Sequence, residues 1–244
     1  MSLENQTGLV TRYQADYYVV QIGQETLVCK LRGRLKRGPV VGSLVAIGDW
    51  VHFQRLSDGS GVIDKVEPRL RSLARMTPTP KGDYEQVLLA NPDQAVLVFS
   101  CAKPEPHLRM LDRFLVICER EGIPPLIVAN KVDLIGLPAA RELFASYPPL
   151  GYPVIFTSAV TREGVDDLHQ QLTGKISALT GPSGVGKTSL LNAIQPHLGK
   201  KVKTVSKSTS KGRHSTIVRE LIPLEHGGYV ADLPGIRALE LWDI

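Results

Sequence analysis

The stretch Gly181-Pro-Ser-Gly-Val-Gly-Lys-Thr188 fits the pattern GxxxxGK[ST] without a gap. An apolar run of strand length, Ile176–Leu179, precedes it, and a segment with a helical pattern, Lys187–Ile194, follows it. Glycines at these spacings let the backbone turn tightly, so that several N–H groups and a helix N-terminus converge on one anion. The stretch therefore predicts a phosphate-binding loop between a strand and a helix of an α/β domain.

The positions of this loop are candidate ligands of a nucleotide. Lys187 is expected to reach the β- and γ-phosphate oxygens and to act in catalysis, and Thr188 is expected to give Mg²⁺ a hydroxyl oxygen. The other candidates form the loop or the first helical turn: Gly181, Pro182, Ser183, Gly184, Val185, Gly186 and Ser189. This pattern predicts a nucleotide without indicating which base it carries.

The base is indicated by Asn130-Lys131-Val132-Asp133, which directly follows the apolar run Pro125–Ala129. A carboxylate accepts two hydrogen bonds at once, and guanine presents a matching donor pair, N1–H and the exocyclic amine, which adenine lacks. We expect Asp133 to accept this pair, Asn130 to tie the base loop to the phosphate loop, and the Lys131 stem to lie along the base plane. Four residues alone are a weak signal, and the motif gains its weight from the phosphate loop in the same domain.

The next predicted strand, Val154–Thr157, leads into Thr157-Ser158-Ala159. This [T/S]SA segment is similar to the accessory base loop of GTPases, in which backbone N–H groups approach the guanine carbonyl. Ser158 and Ala159 are therefore candidate base-contacting residues. The motif is weak alone, but its place after the base-reading motif and one helix is the expected one.

Asp232-Leu-Pro-Gly235 follows the predicted strand Gly228–Ala231 and fits the pattern DxxG. In that motif the carboxylate holds Mg²⁺ through a water molecule and the glycine N–H senses the γ-phosphate. These roles fall to Asp232 and Gly235, so the motif predicts the part of the site that distinguishes GTP from GDP.

A further Mg²⁺ ligand should come from a switch segment, Lys211-Gly-Arg-His-Ser-Thr216, which lies between the phosphate loop and the DxxG motif. Ser215 and Thr216 both carry the required hydroxyl, and Thr216 is preferred. The segment is rich in Ser, Lys and Gly, and this composition predicts that GTP orders it.

The order of these motifs is circularly permuted. An ordinary Ras-like GTPase has the phosphate loop first, then the switch threonine, DxxG, NKxD and SA. Here Asn130–Asp133 and Thr157–Ala159 precede the phosphate loop, while the cyclic order is unchanged. Neighbouring surface termini permit such a permutation. Strands alternating with helices from Ala95 onward predict a doubly wound, mostly parallel sheet.

Residues 8 to about 71 have a different pattern. Five short runs rich in Val, Tyr, Phe and Thr are separated by turn residues such as Gly23, Gly48 and Asp58-Gly59. They predict a five-stranded OB-like β-barrel, with an SH3-like barrel as the structural rival. Residues 72–92, which include Met76-Thr-Pro-Thr-Pro-Lys-Gly82, predict a linker. The expected organisation is a barrel at 1–71, a linker at 72–92 and a permuted GTPase domain at 93–244.

The charge of the chain favours a polyanionic partner. Its formal net charge is +5, with five basic residues in the eight from Lys30 to Arg37. The stretch Gln195–Arg219 has seven Lys or Arg residues and no acid. A solvated face explains one such run, whereas two runs favour RNA. The barrel is therefore expected to bind RNA, although a barrel that merely docks on its neighbour is an alternative.

No apolar stretch of 18 residues occurs, and the first residues do not have the pattern of a secretory leader. Cys29, Cys101 and Cys118 are odd in number and far apart, so they form neither a disulfide framework nor a zinc pattern. A cytoplasmic location without a membrane partner is expected. A monomer is expected as well.

The barrel, the permuted motifs, and Gly212-Arg-His-Ser-Thr216 ahead of Asp232-Leu-Pro-Gly-Ile-Arg237 closely resemble the RsgA family of ribosome small-subunit-dependent GTPases. The resemblance covers nearly the whole chain. It implies GTP/GDP and Mg²⁺ as ligands, GTP hydrolysis stimulated by the small ribosomal subunit, a role in late subunit maturation, and a barrel that touches ribosomal RNA.

The sequence departs from the family pattern in two ways. Members carry a C-terminal zinc domain with three Cys and one His, whereas this sequence stops at Leu241-Trp-Asp-Ile244 without that ligand set. Zinc is therefore expected only in the family's additional domain, and the chain is expected to be a fragment or a truncated form. The family usually has Thr where Ser215 stands, and this change keeps the hydroxyl.

The catalytic water needs an orienting group. Ras-like enzymes use a Gln just after DxxG, and here that position is Ile236, which cannot serve. The resembled family has a histidine at the position of His214, so His214 is expected to orient the water. A surface histidine or an RNA contact is the alternative for His214, and Arg213 is assigned no catalytic role.

Two other classes of function compete with the GTPase. A P-loop ATPase or kinase would share the phosphate loop, but Asp133 argues against it. An RNA-binding module gated by nucleotide, without significant turnover, would share every motif and lack subunit-stimulated hydrolysis.

Overall fold

The computed structural model describes residues 6–36, 42–79, 82–199 and 219–233. The chain forms two compact units, Met1–Asn91 with Lys207–Leu221, and Pro92–Ser206 with Ile222–Ile244. In chain order the described strands and helices are β1 (Gln6–Gln14), β2 (Tyr17–Ile22), β3 (Glu25–Leu31), β4 (Trp50–Arg55), β5 (Gly61–Val66), β6 (Ser72–Thr79), β7 (Gly82–Ala90), β8 (Gln94–Ser100), α1 (Leu108–Arg120), β9 (Pro125–Asn130), α2 (Leu137–Leu143), β10 (Val154–Thr157), α3 (Val165–Leu172), β11 (Ile176–Thr180), α4 (Lys187–Ile194), β12 (Arg219–Glu220), β13 (Ile222–Pro223) and β14 (Tyr229–Asp232). Short 3₁₀ turns span Gly33–Lys36, Val132–Leu134 and Pro148–Leu150.

The first unit contains a closed five-stranded barrel. Its strands follow the order β1-β2-β3-β5-β4, and β4 pairs back with β1 to close it. Only the β3–β5 pairing among these is parallel. This order is that of an OB barrel and confirms the predicted type. Buried residues alternate with less buried ones along β2, β3 and β4. The interior packs around Val10, Val20, Phe53 and Ile63, which have no exposed surface.

The segment predicted to be a linker is different in the structure. Strands β6 and β7 form an antiparallel hairpin in register from Ser72↔Ala90 to Thr79↔Gly82. Leu73, Val87 and Leu89 are buried, and Val87 packs with Ala46 and Ala90 in a small apolar cluster of the same unit. The prolines of this segment favoured a linker in the sequence. Proline is nevertheless tolerated near the end of a two-stranded ribbon, where few ladder hydrogen bonds are lost.

An ion pair is buried beside the barrel. Asp49 has no exposed surface and accepts from the Arg69 guanidinium at 2.8 Å on both carboxylate oxygens. The same carboxylate accepts from the Ala46 N–H at 2.7 Å, and Arg69 also donates to the Ser43 carbonyl at 2.9 Å. Because both carboxylate oxygens of Asp49 accept hydrogen bonds, the pair fixes the loop that precedes β4.

The chain that leads to β14 forms two short strands, which belong to two different sheets. Arg219–Glu220 pairs with β1 of the barrel, and the Leu221 N–H donates to the Thr11 carbonyl at 2.8 Å. Ile222–Pro223 pairs antiparallel with β14 of the second unit. Residues 217 and 218 lie outside the described residues. A run of apolar residues cannot reveal such a division, because each half has the same strand pattern.

The second unit has a six-stranded sheet in the order β10-β9-β8-β11-β14-β13. All its pairings are parallel except that of β13 with β14. Every residue of β8 is buried, as expected for a central parallel strand covered on both faces. The predicted α/β domain with a mostly parallel sheet is thereby confirmed. Within the described residues, no helix is long and apolar enough to cross a membrane.

We expect Asp49→Asn to destabilise the first unit by about 3 kcal/mol, because it leaves the half-buried Arg69 guanidinium without its counter-charge. The control is Glu25→Gln, which removes the exposed partner of Arg55 and should change stability little. Urea denaturation followed by tryptophan fluorescence and circular dichroism measures both. Equal midpoints for the two variants would contradict this account of the buried pair.

Candidate nucleotide-binding site

The predicted site residues gather at one edge of the parallel sheet. The strands β9, β10, β11 and β14 end at Asn130, Thr157, Thr180 and Asp232. Since these strands are parallel, their carboxyl ends lie on the same edge, and the sheet order reverses direction between β8 and β11. Ligands of open α/β sheets bind in the crevice at such a switch point.

The phosphate loop has the conformation that its glycines predict. Gly181, Gly184 and Gly186 have φ values of +146°, +81° and +97°, a region that other residues rarely adopt. A Cβ atom on Gly181 would lie 2.0 Å from the Val98 carbonyl oxygen, so the loop packs directly on β8. The backbone cradle therefore depends on glycine at this position.

Lys187 begins α4 and folds back over the loop. Its Nζ donates to the Gly181 carbonyl at 2.7 Å and to the Pro182 carbonyl at 2.8 Å. Burial lowers the pKa of Lys187 from its usual value, and the negative charge of Asp232 opposes this shift. A charge held inside the loop fits an anionic ligand, since phosphate oxygens would supply the solvation that burial removes.

Asn130 joins the base loop to the phosphate loop. Its Nδ2 donates to the Val185 carbonyl at 2.8 Å, and its Oδ1 accepts from the Thr157 hydroxyl at 3.1 Å. Both Asn130 and Thr157 are buried, so these bonds are shielded from water. Three loops of the site are thus held together by one amide side chain.

Lys131 makes a second connection. It has a left-handed backbone (φ 66°, ψ 40°), and its Nζ donates to the Gly184 carbonyl at 2.7 Å and to the Lys103 carbonyl. The Lys103 carbonyl belongs to the loop that follows β8. Lys131 therefore ties the base loop both to the phosphate loop and to this third segment.

Asp133 is positioned by Ser158. The Ser158 hydroxyl accepts from the N–H groups of Val160 (3.2 Å) and Thr161 (3.1 Å) and donates to Asp133 Oδ1 at 2.6 Å. Because its acceptor sites are occupied by the N–H groups, the hydroxyl proton points at the carboxylate. The Ser158 N–H donates to the Glu163 carbonyl at 3.0 Å, so it is the hydroxyl of Ser158 that donates to Asp133.

Oxygen ligands suited to Mg²⁺ lie beside the phosphate loop. The parallel register sets Asp232 next to Leu179, two residues before Gly181. Thr188 is exposed in the first turn of α4. Carboxylate and hydroxyl oxygens are the ligands that Mg²⁺ takes together with nucleotide phosphates. The described residues contain no cluster of three or more His, Cys, Asp and Glu side chains that could hold a metal without the nucleotide.

The remaining predicted site residues differ in their exposure. The side chains of Val132 and Val185 are buried, so these two residues can serve the site only through their backbones. Ser189 is exposed on α4, and Ala159 is half-buried. His214, Ser215, Thr216 and Gly235 lie outside the described residues.

Sequence reasoning missed three contributors: the hydroxyl groups of Thr157 and Ser158, and the loop 101–107. That loop touches the site through the Lys103 carbonyl, and Ser100 holds it by donating to the Pro104 carbonyl at 2.7 Å. The serine and threonine were visible in the accessory motif, which was interpreted through backbone groups alone. A carbonyl contact leaves no signal in a sequence.

The fold and the site define a class: a circularly permuted P-loop GTPase that carries an N-terminal OB-like barrel. The profile of the RsgA N-terminal domain matches residues 7–63, and that of the RsgA GTPase matches residues 66–242. The chain belongs to the RsgA GTPase family.

Curated relatives and solved structures agree with this family. A small ribosomal subunit biogenesis GTPase RsgA from Gemmatimonas aurantiaca is 43% identical over 242 residues, covering 98% of this chain and 78% of the relative. The protein of the same name from Caldanaerobacter subterraneus is 36% identical, covering 98% and 76%. The crystal structure of YjeQ from Thermotoga maritima superposes with a TM-score of 0.77 at 35% identity, covering 99% of this chain and 78% of that one. YloQ, described as a circularly permuted GTPase, has a TM-score of 0.69 at 29% identity, covering 99% and 75%.

We expect Gly186→Ala to weaken GDP binding by about 100-fold or more, or about 2.7 kcal/mol. Its Cβ would lie 2.5 Å from Asn130 Nδ2 and displace the amide that holds the loops together. Gly174→Ala is the matched control, because it also has a positive φ (+73°) but has nothing within 4 Å of the added atom. It should lose about 1 kcal/mol of stability and keep its affinity. Titration with a fluorescent GDP analogue measures both, and equal affinities would contradict the role given to Asn130.

Proposed function

We propose that this protein binds GTP with Mg²⁺ and hydrolyses it to GDP and phosphate, stimulated by the small ribosomal subunit during its late maturation. The observation that carries the proposal is the pair of bonds that orient the base loop, Asn130 to the Val185 carbonyl and Ser158 to Asp133. They hold a carboxylate and a phosphate loop in one crevice. The names of the relatives supply the ribosomal context.

Asp133 is the residue to which we assign guanine selection. Its carboxylate accepts the Ser158 hydroxyl on Oδ1 and is otherwise exposed, so it retains lone pairs for N1–H and the exocyclic amine. Lys131 flanks the base with its stem. Ala159 offers the N–H for the guanine carbonyl, because the Ser158 N–H already has a partner.

The phosphate loop and its helix bind the polyphosphate. Backbone N–H groups of the loop and Lys187 neutralise the β- and γ-phosphates. Mg²⁺, when bound, neutralises charge that develops on the phosphates, and Thr188, Thr216 and Asp232 are the residues that would hold it, Asp232 through water. Gly235 completes this side of the site.

Hydrolysis transfers the γ-phosphoryl group to water. The water oxygen forms a bond to phosphorus, the bond to the β-phosphate oxygen breaks, and one proton of the water passes to the released phosphate. Catalysis of this step is mostly positioning and charge neutralisation. Ile236 stands where Ras-like enzymes have glutamine and cannot orient water. We assign that role to His214, whose imidazole can accept a hydrogen bond from the water.

The barrel is proposed to contact ribosomal RNA. Tyr17, Val28 and Trp50 are exposed on its strands, and Lys30 Nζ lies 4.9 Å from the centroid of the Tyr17 ring. Exposed aromatic rings beside basic groups suit unpaired nucleotides. We propose that the barrel (1–71) and the GTPase domain (93–244) are joined by residues 72–92, which form a hairpin in place of the predicted linker. We also propose a monomer and a cytoplasmic location.

The test is GTP turnover by the wild type and by His214→Ala, with and without purified small ribosomal subunits. The wild type alone should turn over GTP slowly, on the order of 10⁻⁴ to 10⁻² per second, and subunits should accelerate it. His214→Ala should lose about 10²-fold or more of the stimulated rate with GTP affinity unchanged. His226→Ala, in the turn between β13 and β14, is the control.

A wild type that binds subunits but gains no turnover would favour the alternative, an RNA-binding module gated by nucleotide. A stimulated rate that His214→Ala leaves intact would remove the role assigned to His214 and leave the GTPase assignment in place.

A further inference from the structure

A cavity of about 490 Å³ opens on the side of the phosphate loop that faces α1. Pro182 and Ser183 of the phosphate loop form one wall, and Pro104, from the loop after β8, contributes to another. The remaining lining residues come from α1 and the residue before it: His107, Arg109, Met110 and Arg113. Cavities of this volume are large enough to hold a small organic ligand or one unit of a polymer.

The cavity is positively charged. Arg109 and Arg113 are four residues apart, so they lie on the same face of α1. Both are exposed, and neither takes part in an ion pair within the described part of the chain. None of the lining residues that the structure describes is acidic. Asp112, next to them in sequence, accepts a hydrogen bond from the Tyr147 hydroxyl at 3.0 Å.

Like charges at this spacing destabilise a helix. Because neither guanidinium forms an ion pair among the described residues, both remain open to an external anion. Arginine in particular recognises phosphate, because its planar guanidinium donates two parallel hydrogen bonds.

Three of the other lining residues are apolar. Met110, Pro104 and Pro182 present carbon surfaces beside the two guanidinium groups. A free inorganic anion would leave these surfaces unused, whereas a nucleotide has a phosphate for the arginines and a flat base for the apolar wall. Unpaired RNA nucleotides combine these two features, and the net charge of +5 makes RNA the fitting polyanion.

We propose that this cavity receives an unpaired nucleotide of small-subunit ribosomal RNA, with its phosphate on Arg109 and Arg113 and its base against Met110 and Pro104. The ribosomal source of the RNA rests on the proposed function. Because Pro182 and Ser183 belong to the phosphate loop, an RNA strand bound here touches the nucleotide-binding loop itself. The contact thereby offers a direct way for docking to alter turnover.

The test compares Arg109→Gln/Arg113→Gln with the control Arg120→Gln/Arg141→Gln, which removes two exposed charges from α1 and α2 outside the cavity. Glutamine keeps the helix propensity of both sites. The probe is a single-stranded RNA decamer carrying 4-thiouridine, followed by anisotropy at several KCl concentrations and by ultraviolet cross-linking with peptide mapping. GDP affinity is measured in parallel and should be unchanged in both double variants.

For the cavity variant we expect RNA affinity to fall about tenfold or more. The slope of log K against log[KCl] should decrease by about 0.7, since the variant loses one phosphate contact on a single strand. Cross-links to residues 104–113 should be present in the wild type and lost in this variant. Acceleration of GTP turnover by small subunits should fall with the RNA affinity, while the unstimulated rate stays the same.

Absence of wild-type cross-links in residues 104–113, or equal RNA affinities for the two double variants, would overturn the proposal. So would a cavity variant that loses subunit stimulation but binds RNA like the wild type, because the occupant would then be a ribosomal protein. A wild type that subunits do not stimulate overturns the proposed function instead, and the cross-links and the salt dependence then decide the cavity separately.

Discussion

The hydrogen bond from Asn130 Nδ2 to the Val185 carbonyl, 2.8 Å long and buried, is the constraint on which the site depends. It joins two loops that are 55 residues apart in sequence and lie at the ends of β9 and β11, with β8 between these strands. The bond requires Gly186, because any side chain there would meet the amide. The same amide is fixed by Thr157, so the base loop, the accessory loop and the phosphate loop form one rigid unit. A base bound at one end and phosphates bound at the other are thereby held at a set distance.

Circular permutation leaves this constraint intact because it changes the order of the chain and keeps the order of the strands in the sheet. The phosphate loop still follows a central strand, and the DxxG carboxylate still ends the strand next to it. What changes is the place of the cut, which falls between the DxxG and NKxD motifs. The chain that leads from the switch segment to Asp232 first pairs with the barrel strand β1 and then, within two residues, with β14. The residues just after the switch are therefore hydrogen-bonded in both sheets.

Much of the fold and of the site could be predicted because the underlying chemistry fixes residue types at fixed spacings. The phosphate loop needs glycines where φ is positive, guanine needs a carboxylate, and Mg²⁺ needs oxygen ligands, so Gly186, Asp133 and Asp232 were identifiable from sequence. Parallel strands buried on both faces, such as β8, give continuous apolar runs that are easily recognised. What could not be predicted depends on tertiary geometry. The hairpin at Ser72–Ala90 was not predicted because its prolines indicated a linker. The contact of the Lys103 carbonyl was not predicted because every residue type has a backbone carbonyl. The Ser158 hydroxyl was visible in sequence, but its task of aiming at Asp133 depends on the N–H groups of Val160 and Thr161, which fix its direction.

The central claim is that Asp133, held by Ser158, selects guanine. The most direct measurement is the affinity of wild type and Asp133→Asn for GTP and XTP, with Asp167→Asn, an exposed carboxylate on α3, as the control. Xanthine carries a carbonyl where guanine carries its exocyclic amine, so an amide at position 133 can donate to it. We predict that Asp133→Asn prefers XTP while wild type and Asp167→Asn prefer GTP, each by about 10²-fold or more. An Asp133→Asn variant that still prefers GTP, or a wild type that does not distinguish the two, would contradict the claim.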